Sequence, residues 1–260
     1  MAGETHSRRQ LAADLRAHGR HLIFNFHGIG EPSRTLEPGE ANYWLPIAWF
    51  DGFLDLIAGL SPRRRAEIAI TFDDGNVSDY EIALPRLMSL GLTARHFVIS
   101  QRIGRTGSLS ACQIRTLRAL GMSIGTHGVD HLDWRQLDDA ELDRQLTDSR
   151  QRLEDILGEP VTEAAIPFGN YDRRGLSVLK RHRFAAVFSS DGGSYRSGRW
   201  LRPRTCVRRD MELPAIRDML VGSEGPLGAW VQDARLLKRA FRASRARPLH
   251  SASRAVTEHE

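Results

Sequence analysis

The sequence predicts an α/β fold built around a parallel β-sheet. Short apolar runs alternate along the chain with longer stretches of helical periodicity. Several of the short runs are almost continuously apolar, which is typical of strands covered on both faces. This alternation indicates a parallel sheet that is either closed as a barrel or open with helices on both sides, and periodicity alone does not choose between them.

Seven candidate strands account for the apolar runs. They cover residues 22–26, 68–72, 94–99, 122–125, 164–167, 184–188 and 205–207. Five candidate helices lie between them, at residues 47–60, 79–90, 111–120, 138–157 and 174–181. Ser110 and Gln113 have the spacing of a capping box, and Gly91, Gly121 and Gly158 each follow a helical run where a left-handed residue ends a helix.

Length and composition predict one enzyme-sized domain. A chain of 260 residues, 41% of them hydrophobic, can bury one substantial core. We expect an N-terminal extension at residues 1–20, a catalytic domain at 21–225 and a basic C-terminal helix and tail at 226–260. Cys112 and Cys206 lie far apart, which argues against a disulfide framework or a cysteine-ligated zinc.

The chain is basic, with a formal net charge of +5. Its arginines are scattered and are not interleaved with aromatic residues as in a nucleic-acid-binding module, so we expect no nucleic-acid partner. The densest basic stretch, residues 235–247, has apolar residues near helical spacing. Such a helix either packs on the domain or makes a peripheral contact with an anionic membrane surface.

We expect neither a secretory signal nor a transmembrane helix. The first 21 residues are rich in Arg and have no apolar core of the kind found in a secretory signal. No stretch approaches the roughly 20 apolar residues needed for a transmembrane helix. We therefore expect a cytoplasmic protein, of an oligomeric state that the sequence leaves open.

Two short motifs carry the chemistry. Residues 71–75 read TFDDG and residues 126–131 read THGVDH, each directly after a predicted strand. Alone, an Asp-Asp-Gly is often only a turn, and a histidine pair is often only a surface feature. Both motifs follow buried strands, however, and the carboxyl ends of parallel strands meet at one edge. Together they supply enough ligands for one divalent metal and leave a base free beside it, which points to metal-assisted hydrolysis.

A nicotinamide cofactor is not expected. The sequence Phe26-His27-Gly28-Ile29-Gly30 follows a strand, but Glu-Pro-Ser comes next, where a dinucleotide fingerprint requires a third glycine and the start of a helix.

These motifs resemble the signatures of the polysaccharide deacetylase family, also called the NodB-homology domain or carbohydrate esterase family four. Residues 71–75 are similar to its first signature and residues 127–131 to its second, His-Ser/Thr-x-x-His. Residues 165–169, AIPFG, resemble the third, usually Arg-x-Pro-Tyr/Phe. The resemblance runs from about residue 22 to about residue 207 and implies a distorted (β/α)₇ barrel, in agreement with the seven candidate strands.

The resemblance also implies roles for individual residues. Asp74, His127 and His131 would bind the metal, and Asp73 would be the catalytic base. The segment Pro167, Phe168 and Gly169 would bind substrate, with the backbone N–H of Phe168 holding the oxyanion. Zinc is the default ion, but cobalt, nickel, iron and manganese accept the same ligands.

The sequence departs from the family pattern at three places. Gly128 stands where a Ser or Thr usually follows the first histidine, which removes a hydroxyl that could brace the loop. The arginine of the third signature, which orients the catalytic aspartate, is missing, and Arg202 and Arg204 are candidates to replace it. No Leu-x-x-His, the usual source of the general acid, occurs near the end of the domain.

His27 is the best replacement for the general acid. It ends the first predicted strand and should therefore lie at the same edge as the two motifs. The other histidines have simpler interpretations: His96, inside the third strand, is predicted to be a core residue, and His182 a solvated residue at a helix end.

The substrate is the least determined part of this interpretation. Residues 31–49 form a long segment whose Tyr43, Trp44 and Trp49 either present an aromatic platform to a sugar or close one end of the core. Residues 189–195 are expected to shape the pocket from the same edge. We expect an acylated saccharide, either a nucleotide sugar, a lipid-linked intermediate or an oligosaccharide.

Three functions fit these residues. The first is a metal-dependent deacetylase acting on an N-acetylated saccharide. The second is a catalytically silent sugar-binding member of the fold, because the acid and the arginine are missing. The third is a hydrolase for another amide, such as a deformylase acting on a lipid-linked sugar.

Overall fold

The computed structural model of the chain describes residues 20–222. The strands in chain order are β1 Arg20–Phe26, β2 Gly28–Ile29, β3 Trp44–Leu45, β4 Ile68–Asp74, β5 Ala94–Val98, β6 Ser123–Thr126, β7 Glu163–Ala165, β8 Ala186–Ser189, β9 Ser194–Arg196, β10 Leu201–Pro203 and β11 Thr205–Cys206. The α-helices are α1 Ile47–Ala58, α2 Pro62–Arg65, α3 Leu84–Ser89, α4 Ala111–Ala119, α5 Asp139–Leu157, α6 Arg173–Arg181 and α7 Leu213–Gly222.

The main sheet curves into a nearly closed barrel. Its hydrogen-bonded order is β10-β8-β7-β6-β5-β4-β1-β11, and every neighbouring pair along this path is parallel. β10 and β11 are separated only by Arg204, so one stretch of chain pairs with β8 on one side and with β1 on the other. The predicted distorted (β/α)₇ barrel is confirmed, because this stretch acts as its seventh strand.

Strand boundaries differ most from the sequence-based prediction in the last two barrel strands. The sixth barrel strand begins at Ala186 and not at residue 184, and the seventh begins at Leu201 and not at residue 205. The short pair β2 and β3, and the antiparallel strand β9 beside β1, were not predicted. Segments of two or three residues are too short to show an alternation of apolar and polar side chains.

The helix predicted at residues 79–90 is two elements. Asp79–Ala83 form a π-helical turn, and the α-helix starts at Leu84. Pro85 lies in the first turn of this α-helix, which suits proline because its missing N–H has no helical partner there. Helices α2 and α7 were missed.

The predicted helix ends are confirmed. Ser110 accepts a hydrogen bond from the Gln113 N–H at 3.2 Å, and the Gln113 side chain accepts one from the Ser110 N–H at 2.8 Å. Gly91, Gly121 and Gly158 all have positive φ. These caps satisfy backbone groups that would otherwise be left without partners at the helix ends.

The larger part of the core lies between the barrel and its helices. Phenylalanine rings from β1, β4 and α1 pack edge to face there, namely Phe24, Phe26, Phe50, Phe53 and Phe72. Because the barrel strands are parallel, their carboxyl ends meet at one rim, and the loops that follow β1, β4, β5, β6 and β7 gather above it.

Within residues 20–222, no helix is long and apolar enough to cross a membrane. The predicted basic helix at 226–260, with its membrane contact, lies outside the described residues, as does the extension up to residue 19.

Candidate metal centre

Asp73 and Asp74 end strand β4, in the middle of the barrel sheet. Each side chain is almost fully buried, although carboxylates are rarely buried without a partner. Asp74 has a φ of 73°, a left-handed conformation that a non-glycine residue adopts at a cost. Strain of this kind tends to collect where function requires a particular side-chain direction.

His127 and His131 lie in the loop after β6 and face Asp74. The Nε2 atom of His127 lies 3.6 Å from Asp74 Oδ1, and the Nε2 atom of His131 lies at the same distance. One ligand atom from each of the three residues lies within 4.8 Å of the other two. Two atoms that each lie about 2.0–2.2 Å from one ion cannot be more than about 4.4 Å apart. The pairs at 3.6 Å therefore fit a shared ion.

The far nitrogen of each ring is held by an oxygen. His127 Nδ1 lies 2.9 Å from the backbone oxygen of Ala165, and His131 Nδ1 lies 3.2 Å from Oε2 of Glu37. An N–H at Nδ1 that donates to these oxygens leaves the lone pair of Nε2 pointing at Asp74. This is the usual arrangement around histidines that bind metals.

The protonation states of these residues also suit a cation. Burial lowers the pKa of His127 to about 4, so its imidazole is neutral at pH 7. Burial works against the charge of Asp74, but His131 and His27 outweigh it and hold the pKa of this carboxyl below its usual range. Asp74 Oδ1 is buried and has no hydrogen-bond partner among residues 20–222. A buried acceptor of this kind is expected where a cation completes the site.

Asp73 lies beside this cluster, with its Oδ2 atom 3.8 Å from His127 Nε2, and is paired with Arg204. The two guanidinium nitrogens donate to Asp73 Oδ1 at 2.6 Å and to Oδ2 at 2.8 Å, and Arg204 is fully buried. Asn25 donates to Oδ2 at 2.9 Å. Burial disfavours the charge of Asp73, yet Arg204 and His127 outweigh it, so the pKa of Asp73 lies well below its usual range. Three of the roughly four lone-pair positions of the carboxylate are thus used, which leaves about one free.

Of the two arginines that the sequence offers, Arg204 is the one that contacts Asp73. The guanidinium of Arg202 lies 5.5 Å from the ring of Phe188 and 3.9 Å from Glu163, at the start of β7. Residues two apart in a strand point to the same face, so the two arginines differ in their position along the barrel, with Arg202 two residues further from the carboxyl rim. The prediction of Arg202 as an orienting residue is wrong.

The loop that carries the two histidines is braced without the hydroxyl that Gly128 lacks. The Gly128 N–H donates to the Thr126 hydroxyl at 3.0 Å. Gln145 Oε1 accepts from the N–H groups of Val129 and Asp130 at 2.8 and 3.1 Å. Gly128 has a φ of 83°, and an added Cβ would lie 3.1 Å from Gln145 Oε1. The loop conformation therefore favours glycine here.

His27 lies at the end of β1, beside the two aspartates. Its ring packs on Tyr43, with ring centres 4.7 Å apart. Its Nδ1 atom is buried and has no hydrogen-bond partner in the described part of the chain. His27 is not one of the three clustered ligands, and its role as the acid stays a prediction.

The segment Pro167–Gly169 follows β7 on the other side of the site. Proline has no N–H, and the Gly169 N–H donates to Ile166 O at 3.0 Å, so of these three residues Phe168 is the candidate donor to an oxyanion. The Phe168 ring is 57% exposed and lies 4.4 Å from the ring of His131. Gly169 allows the close approach of this turn to Ser190, because a Cβ at position 169 would lie 2.5 Å from the Ser190 side chain.

The aromatic residues of segment 31–49 divide between the two predicted roles. Trp44 is buried, and the Trp49 indole donates to Met211 O at 2.8 Å while its ring stacks on Phe53. These two rings close the core. Tyr43, on His27, is the one of the three that lies beside the site.

His96 is a core residue, as predicted, and burial lowers its pKa to about 3. Its Nδ1 atom lies 3.5 Å from Asp79, a carboxyl whose pKa is raised well above its usual range by burial and by the charges of Asp74 and Asp73. The prediction for His182 is half wrong. It caps α6, but its side chain is only 12% exposed, and its Nε2 atom lies 2.7 Å from Asp143 Oδ1.

Three contributors to the site were missed in the sequence. Asn25 joins Asp73, Arg204 and Thr71, and a polar residue in the middle of the apolar run LIFNF was a signal for it. Gln145 and Glu37 carried no such signal, because each lies on an ordinary polar stretch far from the histidines in the sequence.

The fold and the site together define a parallel β/α barrel with an Asp-His-His cluster and a separately held aspartate at one rim. Residues 61–187 match the sequence profile of the family described as polysaccharide deacetylase. YxkH of Bacillus subtilis (strain 168), named as a polysaccharide deacetylase, is 27% identical over 161 residues, which are 62% of this chain and 53% of YxkH. A chitin deacetylase of Pestalotiopsis sp is 32% identical over 111 residues, 43% of this chain and 37% of the relative.

The solved structures agree on the fold. The Streptococcus pyogenes deacetylase PplD, in complex with acetate, superposes with a TM-score of 0.65 at 22% identity, covering 80% of this chain and 99% of PplD. Over residues 61–187 this chain is thus similar to the polysaccharide deacetylase family, and the solved structures show the same fold. It spans about half the length or less of the curated relatives that it matches.

Proposed function

We propose that this chain is a metal-dependent hydrolase that removes an N-acetyl group from a saccharide. The observation that carries the proposal is the cluster of Asp74, His127 and His131, with their ligand atoms within 4.8 Å of one another, next to an aspartate that is paired with Arg204. The match of residues 61–187 to the family profile supports the reaction class, and the names of the relatives supply the substrate class.

The metal would be held by Asp74 Oδ1, His127 Nε2 and His131 Nε2. A divalent ion bound there lowers the pKa of water toward about 7 and polarises the amide carbonyl. Two imidazoles and one carboxylate leave positions open, and zinc is the default for this set.

Asp73 is the proposed base. Arg204 and Asn25 occupy three of its lone-pair positions and fix the direction of the remaining one. Its low pKa makes it a weak base, so we expect it to accept a proton only from a strongly acidified water.

The Phe168 N–H is the proposed donor to the developing oxyanion. A single donor of this kind contributes about 10²–10³-fold in rate in other enzymes. His27 is the proposed acid for the leaving amine, because its ring lies at the same rim and its Nδ1 is buried without a partner among the described residues.

The test is to measure bound metal and released acetate for the wild type and for Asp73→Asn, using acetylated oligosaccharides. We expect bound metal in both proteins and acetate only from the wild type. His27→Ala should keep the metal and lose most of the activity, and unchanged kinetics would remove His27 from the mechanism.

Other outcomes would favour the alternatives. A wild-type protein without metal or turnover would favour a catalytically silent sugar-binding role. Release of formate where no acetate appears would favour a deformylase or another amide hydrolase. A mass-spectrometric screen of acylated nucleotide sugars, lipid-linked sugars and oligosaccharides would identify the substrate.

A further inference from the structure

The two candidate histidine ligands are supported in different ways. His127 donates to a backbone oxygen, that of Ala165, inside the barrel. His131 instead faces the side chain of Glu37, which is 94 residues away in the sequence and 48% exposed. One ligand is thus fixed by the sheet itself and the other by a surface loop.

The Glu37 loop, residues 30–43 between β2 and β3, is tied down from both sides of the rim. Arg102, which follows β5, pairs with the other oxygen of the Glu37 carboxylate. The Glu37 N–H donates to Glu40 Oε2 at 2.8 Å, and Glu40 pairs with Arg34. These contacts fix both the carboxylate and the backbone that carries it.

The same loop is attached to the end of β4. Arg34 donates to Asn76 Oδ1 at 2.9 Å, and Asn76 follows the candidate ligand Asp74 by two residues. Asn76 in turn donates from Nδ2 to the backbone oxygen of His27 at 3.2 Å. Tyr43, at the end of the loop, covers the His27 ring. The Glu37 loop therefore contacts the segment after Asp74, the proposed acid His27 and the candidate ligand His131.

We propose that Glu37 is a positioning residue that sets the orientation of His131 and so couples the Glu37 loop to metal affinity. This inference rests on the proposed metal site. A carboxylate at Nδ1 selects the ring form in which Nε2 carries the lone pair, and it raises the basicity of that nitrogen. The ring of Phe168, on the opposite side, limits rotation but supplies no acceptor.

The size of the effect follows from the exposure of Glu37. Loss of such a partner typically weakens metal binding by about 10–100-fold. Because Glu37 is half exposed, water can replace part of its hydrogen bond, so we expect the lower end, about tenfold. His127 is held by a backbone oxygen, that of Ala165, so no side chain can be removed there in the same way. The expected loss of metal affinity therefore applies to His131 alone.

The experiment compares cobalt(II) affinity, measured by calorimetry on the full-length protein, for the wild type, Glu37→Ala, Glu37→Gln and the matched control Glu81→Ala. Glu81 is an exposed glutamate on the π-helical turn. We expect Glu37→Ala to bind about tenfold more weakly, Glu37→Gln to recover part of the loss because its amide oxygen still accepts a hydrogen bond, and Glu81→Ala to match the wild type.

A second readout separates orientation from general stability. Nitrogen chemical shifts of the His131 ring should show one tautomer in the wild type and a mixture in metal-free Glu37→Ala, with unchanged thermal unfolding. Equal cobalt affinity in the wild type and Glu37→Ala would overturn this inference and leave the proposed function standing. A wild-type protein that binds no cobalt would overturn the proposed metal site, and with it this role of Glu37.

Discussion

Replacing Arg204 by glutamine should destabilise the protein by several kcal/mol. Arg204 is fully buried and makes two charge-assisted hydrogen bonds to Asp73, at 2.6 and 2.8 Å, and a third bond to Asn25 Oδ1 at 2.9 Å. Without it, the Asp73 charge stays buried with no counter-ion, a loss that costs about 3–5 kcal/mol for pairs of this kind.

The stability lost in Arg204→Gln should depend on pH. Because Arg204 lowers the pKa of Asp73 in the folded state, the ion pair contributes stability above the unfolded value of 3.8 and loses it as the pH falls below that value. The difference between wild type and Arg204→Gln should therefore be largest near neutral pH and shrink under acidic conditions. Urea unfolding of both proteins, measured between pH 3 and pH 7 in steps of about one pH unit, gives this difference in the free energy of unfolding.

Two further variants make the test specific. Arg204→Gln combined with Asp73→Asn should recover about 2 kcal/mol or more, since no uncompensated charge remains. Arg208→Gln breaks an ion pair with Asp210 that is more than half exposed and should cost less than about 1 kcal/mol. A cost for Arg204→Gln as small as that for Arg208→Gln would refute the reasoning.

Three other substitutions have defined outcomes. Asp79→Asn should become more stable relative to the wild type as the pH rises above 3.8, by up to about 1.4 kcal/mol per pH unit. The reason is the raised pKa of Asp79, which makes the native carboxyl retain a proton that the unfolded chain releases. Urea unfolding at several pH values checks this, and a difference in stability that stays constant with pH would contradict it. Gly125→Ala would place a Cβ 2.6 Å from the Phe97 ring and 2.9 Å from a backbone oxygen, so we expect a loss of about 1–3 kcal/mol in urea unfolding, whereas wild-type stability would show that the barrel relaxes freely. Gly128→Ala puts alanine at a φ of 83° and should cost about 1–2 kcal/mol and weaken cobalt binding, and unchanged affinity in calorimetry would show that the loop tolerates a side chain.

Most of the fold could be predicted because the barrel strands carry a strong local signal. The runs ending at Phe26 and Phe72 are nearly continuously apolar, and the capping box at Ser110 and the glycines after the helices mark where helices begin and end. The seventh strand was located only in part, because its first half contains the polar Arg202 and it pairs with different neighbours on its two sides.

The candidate site was predictable where its chemistry lies in short motifs. Asp73 and Asp74 end one strand, His127 and His131 lie in the loop after another, and a parallel sheet brings those positions to one rim. Contacts between distant segments are harder to predict. Arg204 lies 131 residues from Asp73, and Arg202 fitted the sequence equally well; only the contacts in the structure, Arg204 with Asp73 and Arg202 near Glu163, separate the two. Glu37 could not be found, because the position of a loop depends on tertiary contacts that its own sequence does not encode.

The central claim is that Asp74, His127 and His131 share one divalent ion while Asp73 stays unligated. Anomalous diffraction from crystals of the protein soaked in zinc tests it most directly. We expect one strong peak about 2.0–2.2 Å from Asp74 Oδ1, His127 Nε2 and His131 Nε2, with Asp73 still paired to Arg204. A peak that includes Asp73 among its ligands, or no peak among these three residues, would contradict the account.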